Sequence, residues 1–312
     1  MTFTRRTFLR DGAQALGAAS LLGSGPLLAA RDQKKNKASA GDITVKDVGG
    51  LALFTGAGCN VIGMTGPDGA LLVDGGLAVN SAVLLNAVQG NLKSKRVNTL
   101  INTHWHPEQT GSNDAVGKAG GVIIGHEVTR LALTRTEQSP LFEGRYGPLP
   151  EKARPTKTTY NTGTLEFAGE TVDYRYLPAA HTNGDLFVHF PKRNVIVAGG
   201  PAGIDHWPVI DYVNGGFMHG FLRSYDILVE VAKPDTTIVP AFGATLKGAD
   251  LPKQRDMYRE LFRMFFISFN KGYGPMDIVA EHPLKEYEAQ YGDPAQFLEY
   301  AYRSTQLATV PH

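Results

Sequence analysis

Short apolar runs alternate with glycine-rich turns from residue 43 to residue 73. The runs cover residues 51–54, 59–64 and 70–73, and one of the turns reads Gly66-Pro67-Asp68-Gly69. Apolar runs of this length, separated by turn residues, are typical of β-strands that follow one another in a hairpin. The pattern therefore predicts antiparallel strands at the start of the folded part.

Beyond residue 78, segments with helical periodicity alternate with strand-like runs. The predicted helices cover residues 79–88, 127–133 and much of the chain after Gly215; the predicted strands cover residues 97–101, 121–124, 164–167, 171–176, 186–190, 195–197 and 236–239. Two strand-rich halves with interspersed helices predict a sheet sandwich flanked by helices, in one α/β domain. The irregular stretch 134–154 is too long for a simple connection and predicts a lid or a substrate-facing loop.

Composition narrows the classes of partner and of metal site. The 312 residues include 31 Lys and Arg against 30 Asp and Glu, so the net charge of +1 argues against a nucleic-acid partner. The hydrophobic fraction of 42% indicates a folded globular protein. The single cysteine, Cys59, cannot form an internal disulfide or a cysteine zinc cluster. Any metal must therefore be held by histidines and carboxylates.

Residues 1–40 have the features of an export signal. Residues 4–10 (TRRTFLR) resemble a twin-arginine signature, residues 12–30 are rich in Ala, Leu and Gly, and Ala38-Ser39-Ala40 has the spacing that a signal peptidase requires. The prediction is a twin-arginine signal peptide over 1–40 and one domain over 41–312. It implies a bacterial periplasmic or secreted protein, the twin-arginine export machinery as a partner during secretion, and no stable membrane anchor. The alternative is an ordinary basic, amphipathic terminus.

Three histidines follow predicted strands. His104 and His106 are two residues apart directly after the strand at 97–101, and His181 follows the strand at 171–176. Three imidazoles form a catalytic zinc set in which the fourth position stays open for the nucleophile. On spacing alone, ordinary surface or core histidines are an equal alternative.

At these residues the sequence resembles the metallo-β-lactamase-fold superfamily, over nearly all of residues 43–305. Residues 104–109 (HWHPEQ) lie on the family motif H-x-H-x-D-H, residues 72–76 (LVDGG) look like a strand that ends in a supporting Asp, and residues 180–185 (AHTNGD) look like the block that delivers the third histidine. Residues 208–211 and Gly215-Gly216 are similar to a periplasmic zinc-hydrolase branch found near quinoprotein systems. The resemblance implies an αββα sandwich in a single domain.

The departures from the family pattern all fall on the second metal site. In members with two metals, four further residues bind the second ion: an Asp and a His of the first motif, an Asp that bridges the two ions, and a His near the end of the domain. The corresponding residues here are, in that order, Glu108, Gln109, Gly200 and Phe242. The three histidines of the first site are all present. The resemblance therefore implies one ion on His104, His106 and His181, zinc by preference with iron as the alternative.

The remaining site residues follow from this expectation. Glu108 is the candidate general base for a metal-activated water, the alternative being a salt-bridged or solvated carboxylate. Asp74 and Asp185 are expected to orient the loops that carry the histidines. The alternative for Asp74 is a residue that caps a turn, and the alternative for Asp185 is the first residue of a strand. His206 and Trp105 are candidates for substrate contact, Trp105 also as a support for the loop.

The leading functional prediction is an exported hydrolase that uses a single zinc-activated water. Its substrate would be a small-molecule ester, lactone, thioester or amide that fits beneath the 134–154 loop. One alternative is a metal-dependent isomerase or lyase of the same fold, and another is a catalytically silent metal-binding protein. β-Lactam hydrolysis is disfavoured because the second-metal ligands for the leaving nitrogen are missing.

Overall fold

The computed structural model describes residues 37–309, so most of the predicted signal peptide, residues 1–36, lies outside the described residues. The first sheet contains seven strands in the order of the sequence. They are β1 (Thr44–Val48), β2 (Leu51–Thr55), β3 (Val61–Met64), β4 (Ala70–Val73), β5 (Val97–Ile101), β6 (Val122–His126) and β7 (Lys157–Thr159). The strands β1 to β4 pair antiparallel, as the hairpin pattern predicts, whereas β4 to β7 are parallel.

The second sheet contains six strands in the spatial order β13-β12-β11-β10-β9-β8. They are β8 (Thr162–Phe167), β9 (Glu170–Leu177), β10 (Asp185–Phe190), β11 (Val195–Gly199), β12 (Thr237–Pro240) and β13 (Leu246–Lys247). Only β11 and β12 run parallel in this sheet.

The two sheets pack face to face through alternate residues of their strands. In β4, Leu71 and Val73 belong to the cluster between the sheets, where they join Val188 and Val197 of the second sheet. Ala70 and Leu72 of the same strand point to the opposite face. Because side chains alternate along a strand, one apolar run can supply both the sandwich core and the layer outside it.

Helices cover both outer faces of the sandwich. α1 (Ser81–Leu92) and α3 (Asn113–Lys118) pack on the first sheet through Leu84, Val88 and Val116. α5 (Met218–Val231), α6 (Leu251–Asn270) and α9 (Ala295–Thr309) pack on the second sheet. The expected αββα sandwich is confirmed.

Some short elements differ from the sequence-based expectation. The His-rich segment after β5 was expected to be a loop, but it contains α2 (Pro107–Thr110), and α3 follows directly. Pro107 at the first helical position starts α2, since its ring presets the backbone angle of a helix. β7 and β13 were not expected, and the helices α4 (Glu127–Ala132), α7 (Pro275–Ala280) and α8 (Glu288–Tyr291) complete the fold.

The stretch 134–154 is irregular, as expected. It contains an isolated β-bridge between Glu137 and Tyr146 and a single helical turn over Glu151–Ala153. Within residues 37–309, no helix combines the length and the apolar character that crossing a membrane requires.

Candidate metal centre

The carboxyl ends of β4 and β5 bring the first site residues together. These strands are parallel neighbours, so Asp74 after β4 and His104 and His106 after β5 emerge at the same sheet edge. Asp74 has a positive φ of 66°, a conformation that Asp tolerates better than most residues. Its backbone N–H donates to the Ile101 carbonyl at 2.8 Å, which fixes the turn at the end of β4.

The third histidine comes from the second sheet. His181 lies in the turn between β9 and β10, and its side chain is 4% exposed. The backbone N–H of Leu186 in β10 donates to the carbonyl of Thr103 at 2.7 Å. This bond ties the loop that carries His104 and His106 to the sheet that carries His181.

The three imidazole rings form a nearly regular triangle. Their centroids are 4.6, 4.7 and 4.8 Å apart, and each pair of rings is close to perpendicular, at 80–84°. One nitrogen of each ring can be chosen so that all three lie within 4.8 Å of one another. The Nδ1 atom of His106 and the Nε2 atom of His181 are only 3.0 Å apart. The predicted convergence of His104, His106 and His181 is therefore present in the fold.

The other nitrogen of each ring is held by a different partner. The Thr103 hydroxyl lies 3.0 Å from Nδ1 of His104, and an Asp211 carboxylate oxygen lies 3.0 Å from Nε2 of His106. The carbonyl oxygen of Val209 lies 2.6 Å from Nδ1 of His181. Partners of this kind fix ring orientation and tautomer in metal sites. Nε2 of His104 is buried without a hydrogen-bond partner among the described residues.

Burial favours the neutral form of His104 and His181. It lowers the pKa of His104 well below the ordinary value, with further contributions from His181 and His106. Burial also lowers the pKa of His181 to about 3, and His106 adds to the effect. A divalent ion requires neutral imidazole ligands, so this donor set fits zinc or iron.

Asp74 and Asp185 both lie near the histidines, and their hydrogen bonds among the described residues go to neighbours of the imidazoles. Asp74 accepts hydrogen bonds from the backbone N–H and the hydroxyl of Thr103, at 2.8 and 2.9 Å. Through Thr103 it is linked to His104. Asp185 accepts from the N–H and the hydroxyl of Thr182, at 2.8 and 2.7 Å, and so holds the turn that follows His181. Burial raises the pKa of Asp74 to about 8 and that of Asp185 to about 7.

Asp211 is a site residue whose role the sequence did not reveal. Besides His106, its carboxylate accepts from the side-chain amide of Asn214 at 2.9 Å, and its own N–H donates to the carbonyl of His181 at 2.8 Å. Burial opposes its ionisation, but hydrogen bonds from His106, Asn214 and Ser139 hold its pKa below the ordinary value. Residues 208–211 stood out only through their resemblance to one family branch; nothing in their pattern assigned a contact to His106.

A cavity of about 390 Å³ opens at the histidine triangle. Its lining includes His106, His181, Glu108 and His206. Glu108 is 4% exposed, and burial raises its pKa although His106 opposes the effect. His206 is hydrogen-bonded through Nδ1 to Asp205 at 2.8 Å.

Trp105 is not among the residues that line this cavity. It is 1% exposed and packs against Ala132 and Leu133 and, at ring-centroid distances of 6.0 and 6.5 Å, against Phe142 and Tyr146. The hydroxyls of Tyr146 and Thr110 are 2.6 Å apart, which fastens the 134–154 stretch to α2. These contacts place Trp105 between the histidine loop and the 134–154 stretch, while its role in substrate contact stays a prediction.

The four positions that depart from the two-metal pattern contain no second ligand set. Gly200 and Phe242 line the cavity, and a Cβ atom at Gly200 would overlap the imidazole of His181. Gln109 is fully buried and does not line the cavity. Across residues 37–309, the three histidines are the one cluster of His, Cys, Asp or Glu with the spacing to hold an ion.

Comparisons with known proteins identify the family. Residues 54–244 match the model of the metallo-beta-lactamase superfamily. A comparison with curated protein sequences gave no significant match.

Solved structures show the same fold at low identity. A metallo-beta-lactamase from Pontibacter korlensis aligns with a TM-score of 0.53 and 17% identity, over 70% of this chain and 93% of its own. The DIM-1 metallo-beta-lactamase aligns at 0.55 and 16%, over 70% and 98%. The metallo-beta-lactamase IND-7 aligns at 0.53 and 17%, over 70% and 91%. The chain belongs to the metallo-β-lactamase superfamily.

Proposed function

We propose that this protein is a hydrolase of small-molecule esters, lactones, thioesters or amides that works with a single metal ion, zinc by preference. The observation that carries the proposal is the histidine triangle at the cavity. Three buried imidazoles converge there, and the outer nitrogen of each is fixed by Thr103, Asp211 or Val209. This arrangement leaves one side of the triangle facing the cavity, where a substrate carbonyl has access.

His104, His106 and His181 would hold the ion. When bound there, zinc acts as a Lewis acid that polarises a carbonyl and lowers the pKa of water to about 7. The surrounding residues perform the remaining tasks. Thr103, Asp211 and the Val209 carbonyl keep the rings in place, and Phe142 and Val209 help to exclude bulk water from the cavity.

Glu108 takes the proton that a water nucleophile must lose. Glu108 lines the cavity with His106 and lies in the first turn of α2. Burial raises its pKa, which brings its proton affinity closer to the neutral pH at which a general base operates.

The role of Glu108 is tested by Glu108→Gln on the metal-loaded protein, with a panel of neutral esters, lactones and amides. We expect kcat/KM to fall by about 100-fold or more, with loss of the acidic limb of the pH profile and unchanged metal content. The control is Glu260→Gln, an exposed carboxylate on α6 that is paired with Arg263. Full activity and an unaltered pH profile in Glu108→Gln would remove Glu108 from the mechanism.

The cellular location is a further part of the proposal. Residues 1–40 are proposed to act as a twin-arginine signal, which would place the domain in the periplasm or outside the cell. Fractionation of cells that express the chain with Arg5→Lys and Arg6→Lys, compared with the unaltered chain, tests this. Processed protein in the periplasmic fraction that disappears in the variant supports export, whereas equal distribution of both contradicts it.

A further inference from the structure

The cavity wall extends beyond the part of the chain that matches the family. The family match ends at residue 244, but the helical segment after it supplies Met276 and Val279 from α7 and Gln296 and Tyr300 from α9. We call the cavity-lining residues after 270 the C-terminal wall. Because this wall lies outside the matched region, the substrate preference cannot be carried over from the family.

Apolar groups make up most of the remaining lining. Leu141 and Phe142 come from the 134–154 stretch, and the Phe142 ring lies 6.0 Å from the ring of His106. Trp207 is held rigidly, since it stacks on Phe297 with 5.4 Å between the centroids and donates from its indole nitrogen to the Gly292 carbonyl at 2.7 Å. Such surfaces bind the apolar part of a small molecule.

The charged groups of the lining all have the same sign. Glu108, Asp293 and Glu299 line the cavity, whereas no Lys or Arg is found among its lining residues in the described chain. Arg303 pairs with Glu299 through Nε and Nη2 at 2.9 Å but is not itself in the lining. Apart from the proposed metal ion, the lining therefore offers no Lys or Arg side chain that could bind an anionic substituent.

Asp293 is fixed at the start of α9. Its carboxylate accepts a hydrogen bond from the N–H of Ala295 at 2.9 Å, so its orientation is set by the backbone. Glu299 is paired with Arg303, whereas Asp293, the other acidic residue of the C-terminal wall, has no ion-pair partner among the described residues. A negative substituent of a substrate that lies along this wall would meet a like charge.

We propose that the cavity takes uncharged, largely apolar acyl compounds and that the C-terminal wall rejects substrates with a negative charge remote from the scissile bond. This inference rests on the proposed hydrolase function. The ion that the histidine triangle would hold would bind the carbonyl, and the C-terminal wall selects the remote group of the substrate by charge. Substitution of Gln296 can alter this preference, because Gln296 is a half-buried, uncharged residue of the C-terminal wall.

The test compares 4-nitrophenyl heptanoate with the 4-nitrophenyl monoester of adipic acid, which have acyl groups of similar length but differ by one negative charge, and the adipate chain is too long for its carboxylate to form a five-membered cyclic anhydride. Spontaneous hydrolysis of each ester is subtracted as background, and the two enzymatic kcat/KM values are compared directly. We expect a preference for the neutral ester of at least about tenfold, because a like charge within about 10 Å at an effective dielectric constant near 20 has an effect of that order.

Two variants at one position make the test specific to charge. Gln296→Lys is expected to reduce the neutral-to-anionic ratio by at least about fivefold, because it introduces a cation at the wall. Gln296→Met, which has a similar length and no charge, is expected to leave the ratio as it is. Equal use of both esters by the unaltered protein, or the same ratio in Gln296→Lys and Gln296→Met, would overturn the proposal.

A binding measurement separates failure of this inference from failure of the hydrolase function. If neither ester is cleaved, calorimetry with N-phenylpentanamide and N-phenylsuccinamate compares the neutral and the anionic compound directly. Binding of the neutral amide alone would support the charge selection and contradict the hydrolase proposal. Equal binding of the two, or no binding of either, would contradict the charge selection itself.

Discussion

The contact between Asp211 and His106 leads to a specific prediction for Asp211→Asn. In the folded chain, one Asp211 carboxylate oxygen lies 3.0 Å from the outer nitrogen of His106, and the residue is fully buried. The substitution keeps the size of the side chain and the backbone bond to the His181 carbonyl. It removes the charge that holds the His106 ring with its inner nitrogen toward the centre.

The expected loss concerns metal affinity and not folding. Hydrogen-bonded partners of metal-binding histidines contribute about 10- to 100-fold to affinity, or roughly 1.4–2.7 kcal/mol. The upper part of this range applies here because the pKa of Asp211 is held low by His106, Asn214 and Ser139, despite burial, so the carboxylate is ionised. An amide supplies neither that charge nor a second acceptor oxygen.

Zinc affinity is measured by competition with a chromophoric chelator, alongside the urea unfolding of each protein. Asp185→Asn is the matched control, since Asp185 is also a buried Asp of the site but bonds the hydroxyl and backbone of Thr182 and the backbone of His181, not an imidazole nitrogen. Burial raises its pKa to about 7, so an amide resembles the protonated acid that is present near neutral pH. A folded Asp211→Asn protein that loses no more zinc affinity than Asp185→Asn would refute the orienting role.

Three further predictions follow from the packing and the charges of the site. Gly200→Ala should abolish metal retention, because its Cβ would overlap the His181 ring. The control Gly90→Ala on α1 has open space around its Cβ and should stabilise the fold by about 0.5–1 kcal/mol. Metal analysis and thermal unfolding of both variants check this prediction. In chelator-treated protein, His181 should lower the free energy of unfolding by about 2 kcal/mol between pH 7 and pH 5. The unfolded chain takes up a proton on this imidazole near pH 6.5, whereas the folded chain, in which its pKa is about 3, does not. Urea titrations at several pH values should show a weaker pH dependence of the unfolding free energy for His181→Asn. Trp105→Ala should cost about 3–5 kcal/mol of unfolding free energy, and a cost near zero would show that the Trp105 packing is not structural.

The sandwich could be predicted because its strands carry their own signal. β4 has four apolar residues in a row, bounded by turns on both sides, and β5 ends in the apolar pair Leu100-Ile101 before a polar segment. α2 could not be found in this way, because its four residues, Pro-Glu-Gln-Thr, contain no apolar periodicity. β13 is two residues long, too short for any alternation to be visible.

The histidine triangle could be predicted because its members directly follow strands and lie on a family motif. The partners that fix the rings are of a different kind. Asp211 and Val209 are about 30 residues beyond His181, in a segment without regular structure that the fold brings back to the site. The C-terminal wall is similar, since α7 and α9 reach the cavity only through packing on the second sheet. Contacts of this kind depend on tertiary structure and leave no local pattern.

Metal content per chain tests the central claim most directly. The protein is purified without added metal and analysed by mass spectrometry of the elements, beside a His104→Ala, His181→Ala double variant whose folding is checked by circular dichroism. We expect about one zinc or iron ion per chain in the unaltered protein and none in the variant. An absence of metal in the unaltered protein, even after incubation with zinc, would contradict the three-histidine centre, and two ions per chain would contradict the loss of the second site.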